Sequence, residues 1–261
     1  MEILSYLLLG AFAGVLAGLL GVGGGLVIVP ALAYLLPARG VAPEVVMHLA
    51  LGTSLATIVL TSSSSVVAHH RRGGVQWKVF GRLTPGVLVG AFLGAAVADA
   101  LPAGPLRLVF GVFALLVALQ LGLAAKPPPQ RELPGRAGMG LAGSVIGVVS
   151  AIVGIGGGSL TVPFLAWCNV PMRVAVATSA AVGLPIAVAG ALGYALMGLG
   201  HPALPPGALG YVYLPALLGI ALASVLCAPV GARLAHAVPA PALKRFFAVF
   251  LAFLGLRMLL G

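Results

Sequence analysis

Gly18 to Leu32 reads GLLGVGGGLVIVPAL, and Ala151 to Leu165 reads AIVGIGGGSLTVPFL. At an offset of 133, Gly21, Gly23, Gly24, Gly25, Val29 and Pro30 of the first stretch match Gly154, Gly156, Gly157, Gly158, Val162 and Pro163 of the second. A glycine cluster with a proline behind it disfavours continuous helix, so each stretch marks a break inside an apolar segment. The surrounding features keep their order. Thr53-Ser54 in LALGTSLAT aligns with Thr178-Ser179 in VAVATSAAV at an offset of 125, Pro85 with Pro215 at 130, and LRLVFGVF from Leu106 with LKRFFAVF from Leu243 at 137. The chain is an internal duplication, a plan that recurs among secondary transporters.

The solvent of this duplicated unit follows from composition. Of 261 residues, 61 % are hydrophobic and 7 % charged, the mean hydropathy is +1.18, and a soluble domain carries about 25 % charged residues. Runs such as Leu83 to Leu101 and Leu106 to Ala125 reach the roughly 20 residues that cross a hydrocarbon core as helix. The formal charge of +10 comes from 14 basic residues placed mostly between apolar runs, which points to membrane orientation rather than nucleic acid. Met1-Glu2 supplies no basic region ahead of the first apolar run, so a cleaved signal peptide is not expected. Cys168 and Cys227 lack CxxC spacing and are expected as small apolar packing residues. KPPPQRELPGR, Lys126 to Arg136, is rich in proline and charge and divides the chain. The expected organisation is a first transmembrane repeat at 1–125, a cytoplasmic linker at 126–137 and a second repeat at 138–261.

Segment length decides how the repeats relate. Ile3 to Leu36 would be about 51 Å long as one helix, too long for one ordinary crossing. Folding it at the glycine run, as a re-entrant hairpin or as two crossings, returns the chain to the face it entered from. Each half then crosses an odd number of times. With eight plain crossings the basic residues divide 8 to 6; with folded glycine segments, only Arg39, Arg107 and Arg257 oppose the other 11. The second division is the one a defined orientation gives. It predicts inverted repeats with both termini outside the cytoplasm.

Physically, successive residues without Cβ let backbone N–H groups converge on one point, and the helix that follows adds its own unsatisfied N–H groups and positive dipole end. Such a site takes anions. Thr53, Ser54, Thr178 and Ser179 offer hydroxyl donors from the neighbouring helix. The competing reading is packing: glycines four apart, as in Gly14/Gly18 and Gly90/Gly94, bring membrane helices close, and Thr-Ser pairs bond to the preceding turn. Recurrence of the whole cluster at equivalent places favours the site. His48 is expected to be structural, and Trp77 and Lys78 to anchor at the interface. The carboxylates Glu2, Glu44, Asp99 and Glu132 fall at segment ends or in loops, so none is placed in mid-membrane to carry a proton or hold sodium.

On the doubled GLLGVGGGLVIVPAL and GIGGGSLTVPFL motifs, with GTS, ATS and HHRRGGVQW, the sequence resembles the TauE/SafE family of membrane anion transporters, the sulfite exporter family, over nearly its whole length. The resemblance implies a bacterial inner-membrane carrier for sulfite or organic sulfur anions such as sulfonates. It implies Gly23, Gly24, Gly25, Gly156, Gly157 and Gly158 at the translocation site, with Thr53, Ser54, Thr178 and Ser179 beside them. The family's basic stretch often has an acidic residue before the tryptophan; here Gly74-Val75-Gln76-Trp77 lacks it.

The expected fold is therefore all-α integral membrane, with two inverted repeats, each a glycine-broken helical hairpin followed by three transmembrane helices. The expected function is secondary transport of small anions, sulfite or organosulfur and sulfonate anions, by alternating access. A negative interior favours export or facilitation, since one charge across 100 mV is worth about 2.3 kcal/mol. An anion channel and a non-transporting scaffold or assembly subunit are the alternatives. No Walker motif and no His, Asp, Glu and Cys cluster at catalytic spacing occurs, so neither an enzyme nor a cofactor is expected. The expected partners are a small anion and the lipid bilayer, with no nucleic acid.

Overall fold

The computed structural model describes residues 2–20, 24–123, 132–237 and 240–260. Helix α1 (Glu2–Leu20) stops at the first glycine run, and α2 (Gly25–Leu35) follows it. A 3-10 turn, Pro37–Arg39, ends on Gly40 at φ 77°. Then come α3 (Pro43–Arg71), α4 (Trp77–Asp99) and α5 (Ala103–Gly122). The second half repeats this order with α6 (Arg136–Val153), α7 (Gly158–Trp167), α8 (Met172–Met197), α9 (Leu214–Ala237) and α10 (Ala240–Leu260). Arg136, assigned by sequence to the linker, opens α6. Between α8 and α9 stand two antiparallel two-residue strands, β1 (Ala208–Leu209) and β2 (Val212–Tyr213). Proline sets several starts, as Pro43 inside α3 and Pro102 and Pro171 just ahead of α5 and α8, where its fixed φ fits and no N–H is wanted.

The tertiary pairing is unchanged when the halves are exchanged. Helix α1 packs along α9 and α6 along α4, while α3 meets α8 and α5 meets α10. Individual contacts follow the same rule. Gly10 and Gly14 lie against Ile220 and Ser224, and Gly143 and Gly147 against Leu83 and Val87. Gly111 meets Leu259 and Gly122 meets Ala248; adding 137 to 111 and 122 gives 248 and 259, so this contact maps onto itself. These contacts equate Leu83 with Ile220 and Val87 with Ser224, an offset of 137. The alignment of Pro85 with Pro215 at 130 is therefore corrected: a proline match between two apolar runs carried less information than the glycine seam each run packs on.

Those seams explain the close approach. A Cβ on Gly86, Gly90 or Gly94 of α4 would strike the backbone of Gly140, Ser144 or Val148 in α6, so these glycines let two backbones touch where lipid provides no hydrophobic drive for association. Ser224 adds a buried hydrogen bond across the equivalent seam, its Oγ donating to Gly10 O at 2.8 Å. Helices α3 and α8 are mostly buried, whereas α5 exposes most of its apolar surface. Leu108, Leu116 and Leu119 on α5 and Val249 and Phe253 on α10 form an outward apolar belt.

The bundle has two ends. Arg39 at the close of the 3-10 turn donates from a guanidinium nitrogen to Ser5 Oγ at 2.6 Å and stacks over Tyr6, so α1 and α2 leave and return to one end. Tyr213 before α9 packs on Tyr6, and Arg257 near the close of α10 lies over Tyr34, which puts both at that end too. The start of α4 lies beside the end of α3, through Trp77 and His70, and beside the start of α8, through Gly74 and Ala177. Helix α6 starts alongside α4 at this second end, and α7 leads back to it. The helix ends carrying Arg71, Arg72, Lys78, Arg82, Arg136 and Arg173 thus gather at one end, opposite Arg39 and Arg257.

Candidate functional site

The two helix breaks meet inside the bundle. A Cβ on Gly25, the first residue of α2, would overlap Gly154 O and crowd Ile155 Cα, so the two glycine segments touch backbone to backbone. Around the second break the conformation demands glycine. Gly154 caps α6 at φ 72° and Gly157 precedes α7 at φ 74°, a region that costs an L-residue roughly 1–2 kcal/mol. Around the first, Gly24 sits at φ −74° in ordinary helical geometry, so positive φ is not needed there. Gly21 and Gly23 lie outside the described residues. Gly156 fits under Ile58, and its carbonyl lies against Gly183 of α8.

Each described hydroxyl from the sequence reading has a definite place. Tyr213 N–H donates to Thr53 Oγ1 at 2.9 Å, and Gln76 N–H donates to Thr178 Oγ1 at 3.0 Å. Offsets of 125 and 137 convert one bond into the other, so both threonines fasten the segment before α9 or α4 to the central helix. Ser54 Oγ donates to Gly154 O at 2.8 Å, which ties α3 to the second break. Ser179, equivalent to Ser54, is buried with no hydrogen-bond partner for its Oγ.

Three further hydroxyls share that state and were not singled out from the sequence: Ser150 on α6 and Ser159 and Thr161 on α7. Ser150 and Thr161 are fully buried, and both oxygens lie 3.5 Å from where a Cβ on Gly157 would stand. The first intrahelical bonds of α7 are donated by Leu160 and Thr161 to Gly157 O, so the N–H groups of Gly158 and Ser159 face out of the helix end. Their equivalents in the first half, at the offset of 133, are Ala17, Leu26 and Ile28. The signal in the sequence is GGGSLT against GGGLVI, a difference between the repeats rather than an identity.

Near the end of the bundle opposite the arginine-rich one, His48 places Nδ1 3.2 Å from Glu44 O and Nε2 3.1 Å from Ala98 O, binding α3 to the end of α4. Tyr211 lies against it, and the Tyr211 hydroxyl donates to Asp99 Oδ1 at 3.0 Å. Burial, then that bond, pushes the Tyr211 phenol up to about 12. Among the described residues no three His, Cys, Asp or Glu side chains gather as metal ligands do.

Helices α3, α4, α5, α6, α8 and Leu214–Gly231 of α9 are each long and apolar enough to cross a membrane, and they define a multi-pass membrane protein. The profile of the sulfite exporter TauE/SafE family matches residues 6–258, and the chain belongs to that family. It is 37 % identical over 260 residues, 99 % of this chain and 98 % of the relative, to a probable membrane transporter protein of Haemophilus influenzae. A probable membrane transporter protein of Bacillus subtilis is 33 % identical over 199 residues, covering 69 % of this chain and 73 % of its own. One from Methanocaldococcus jannaschii is 26 % identical over 267 residues, covering 97 % and 94 %. No solved structure matches the chain significantly. The protein is a membrane transporter of the TauE/SafE type.

Proposed function

We propose that this transporter carries small sulfur oxyanions, sulfite or organic sulfonates, across the bacterial inner membrane by alternating access between two inverted halves. The observation that carries the reading is the meeting of the two helix breaks, Gly25 against Gly154, at the centre of a pairing that survives exchange of the halves. Irregular backbone at membrane depth is tolerated only where protein buries it or a cavity needs it, and paired half-helix ends at a repeat interface are where secondary carriers hold their cargo. The proposed site comprises Gly23, Gly24, Gly25, Gly156, Gly157, Gly158 and Ser179, framed by Thr53, Ser54 and Thr178. The arginine-rich end faces the cytoplasm under the positive-inside rule, so both termini are outside. With a negative interior an anion leaves downhill, which makes export or facilitation the direction.

The test is flux in proteoliposomes. Purified protein should accelerate uptake of labelled sulfite or a sulfonate under an inside-positive potential, with a rate that saturates at rising anion concentration. Equal leak with and without protein would overturn the reading. A rate that never saturates would replace the carrier with a channel.

A further inference from the structure

Resting on the anion-carrier reading, we infer that the hydroxyls holding the cargo all come from the second half, in a neutral cradle over the start of α7, and that this cradle takes singly charged anions in preference to doubly charged ones. Ser150, Ser159, Thr161 and Ser179 present four buried oxygens that no protein group satisfies. A buried hydroxyl without a partner is costly, and native proteins retain one where a ligand or water completes it. Ser150 and Thr161 come from different helices, yet both reach the space over Gly157. Ser179 lies one turn before Gly183, whose backbone touches Gly156, so α8 brings it to the same break. The unsatisfied N–H groups of Gly158 and Ser159 open there as well. Among the described residues the first half has no matching unpartnered hydroxyls: Ala17, Leu26 and Ile28 replace three of them, and the fourth, on Ser54, already bonds Gly154 O.

Every Lys, Arg and His on the described helices lies within six residues of a helix end at one of the two faces of the bundle, and none stands at the mid-bundle breaks. The cradle therefore offers only dipoles: O–H and N–H groups and the positive end of α7, equivalent to about half an elementary charge. Attraction from fixed dipoles grows in proportion to the charge of the anion, whereas the cost of removing the anion from water grows with its square. A site with no cation in it thus loses against water for a doubly charged anion sooner than for a singly charged one. Cargo of this class is a sulfonate or a singly protonated oxyanion.

The experiment is isothermal titration of the purified full chain with methanesulfonate, which carries one charge at neutral pH, and with sulfate, which carries two, at matched ionic strength. Methanesulfonate should bind at least about tenfold more tightly. Ser150→Ala and Thr161→Val should each weaken it about tenfold, the scale of one hydrogen bond to a charged group, while Thr161→Ser restores it. Ser144→Ala, which removes a hydroxyl already bonded to Gly140 O, should bind as wild type. Thermal melting of each variant shows whether it is folded. Sulfate binding as tightly as methanesulfonate, or undiminished affinity in folded Ser150→Ala and Thr161→Val, would overturn the cradle while leaving the carrier reading intact. No binding of either anion, together with no flux of any anion in proteoliposomes, would overturn both.

Discussion

Adding one methyl at Gly157, Gly90 and Gly24 separates a site from a packing seam, because the three glycines are held by different physics. At Gly157 the backbone has φ 74°, so alanine costs roughly 1–2 kcal/mol from the left-handed conformation alone. The methyl also displaces Ile186 Cδ1, a flexible side-chain end, and stands 3.5 Å from both Ser150 Oγ and Thr161 Oγ1, filling the space between the unpartnered hydroxyls. At Gly90 the methyl would meet the Cα and carbonyl carbon of Ser144 at 2.8 Å. Backbone cannot rotate away, so α4 and α6 must separate, at a cost of about 1–3 kcal/mol. At Gly24 the φ of −74° is ordinary and the nearest atoms are Ile28 Cδ1 at 3.2 Å and Ala13 Cβ at 3.6 Å, so stability should change by no more than about 0.5 kcal/mol. Gly157→Ala and Gly90→Ala should therefore melt at similarly lowered temperatures, and melting alone cannot distinguish them. Binding can. Titrated with methanesulfonate at a temperature where all three are folded, Gly157→Ala should lose about tenfold or more in affinity, while Gly90→Ala keeps the wild-type value. Wild-type affinity in Gly157→Ala, or an equal loss per folded molecule in Gly90→Ala, would refute the assignment of the site.

Thr53→Val leaves the buried Tyr213 N–H without an acceptor and should lower stability by about 1–3 kcal/mol; Thr178→Val, whose bond to Gln76 N–H is only partly buried, should cost less in the same melt. Cysteines placed at Arg72, Arg173 and Arg245 should all react with an impermeant thiol reagent from the cytoplasmic side and one at Arg39 from the other. Reaction of 72 and 245 from opposite sides would restore the eight-crossing arrangement. The Tyr211 phenol ionises at about 12 when folded against its ordinary 10.0, so the folded chain keeps this proton longer than the unfolded one. Stability should then fall as pH rises through that interval, and Tyr211→Phe should flatten this alkaline limb in pH-dependent melts.

The sequence alone determined that the chain is helical, spans a membrane and is duplicated. Those properties follow from local facts: apolar runs of spanning length, few charges, and glycine clusters that no continuous helix tolerates. It also drew attention to Gly25, Gly156 and Gly157, since a residue without Cβ repeated in register is legible without knowing what lies beside it. The partners of Thr53 and Thr178 were not legible, because Tyr213 and Gln76 are 160 and 102 residues away and a hydroxyl's bond depends on which distant backbone group arrives next to it. The same holds for the register of α4 against α9, which the glycine seams fixed at 137.

What the tertiary structure alone decided is which hydroxyls remain unpaired. Ser54 and Ser179 are identical in type and equivalent in the repeat, yet one is bonded to Gly154 O and the other has no partner. A sequence lists donors and acceptors, but whether each is satisfied is a property of the assembled bundle, where an atom a few ångströms away either completes a buried group or leaves it open to a ligand.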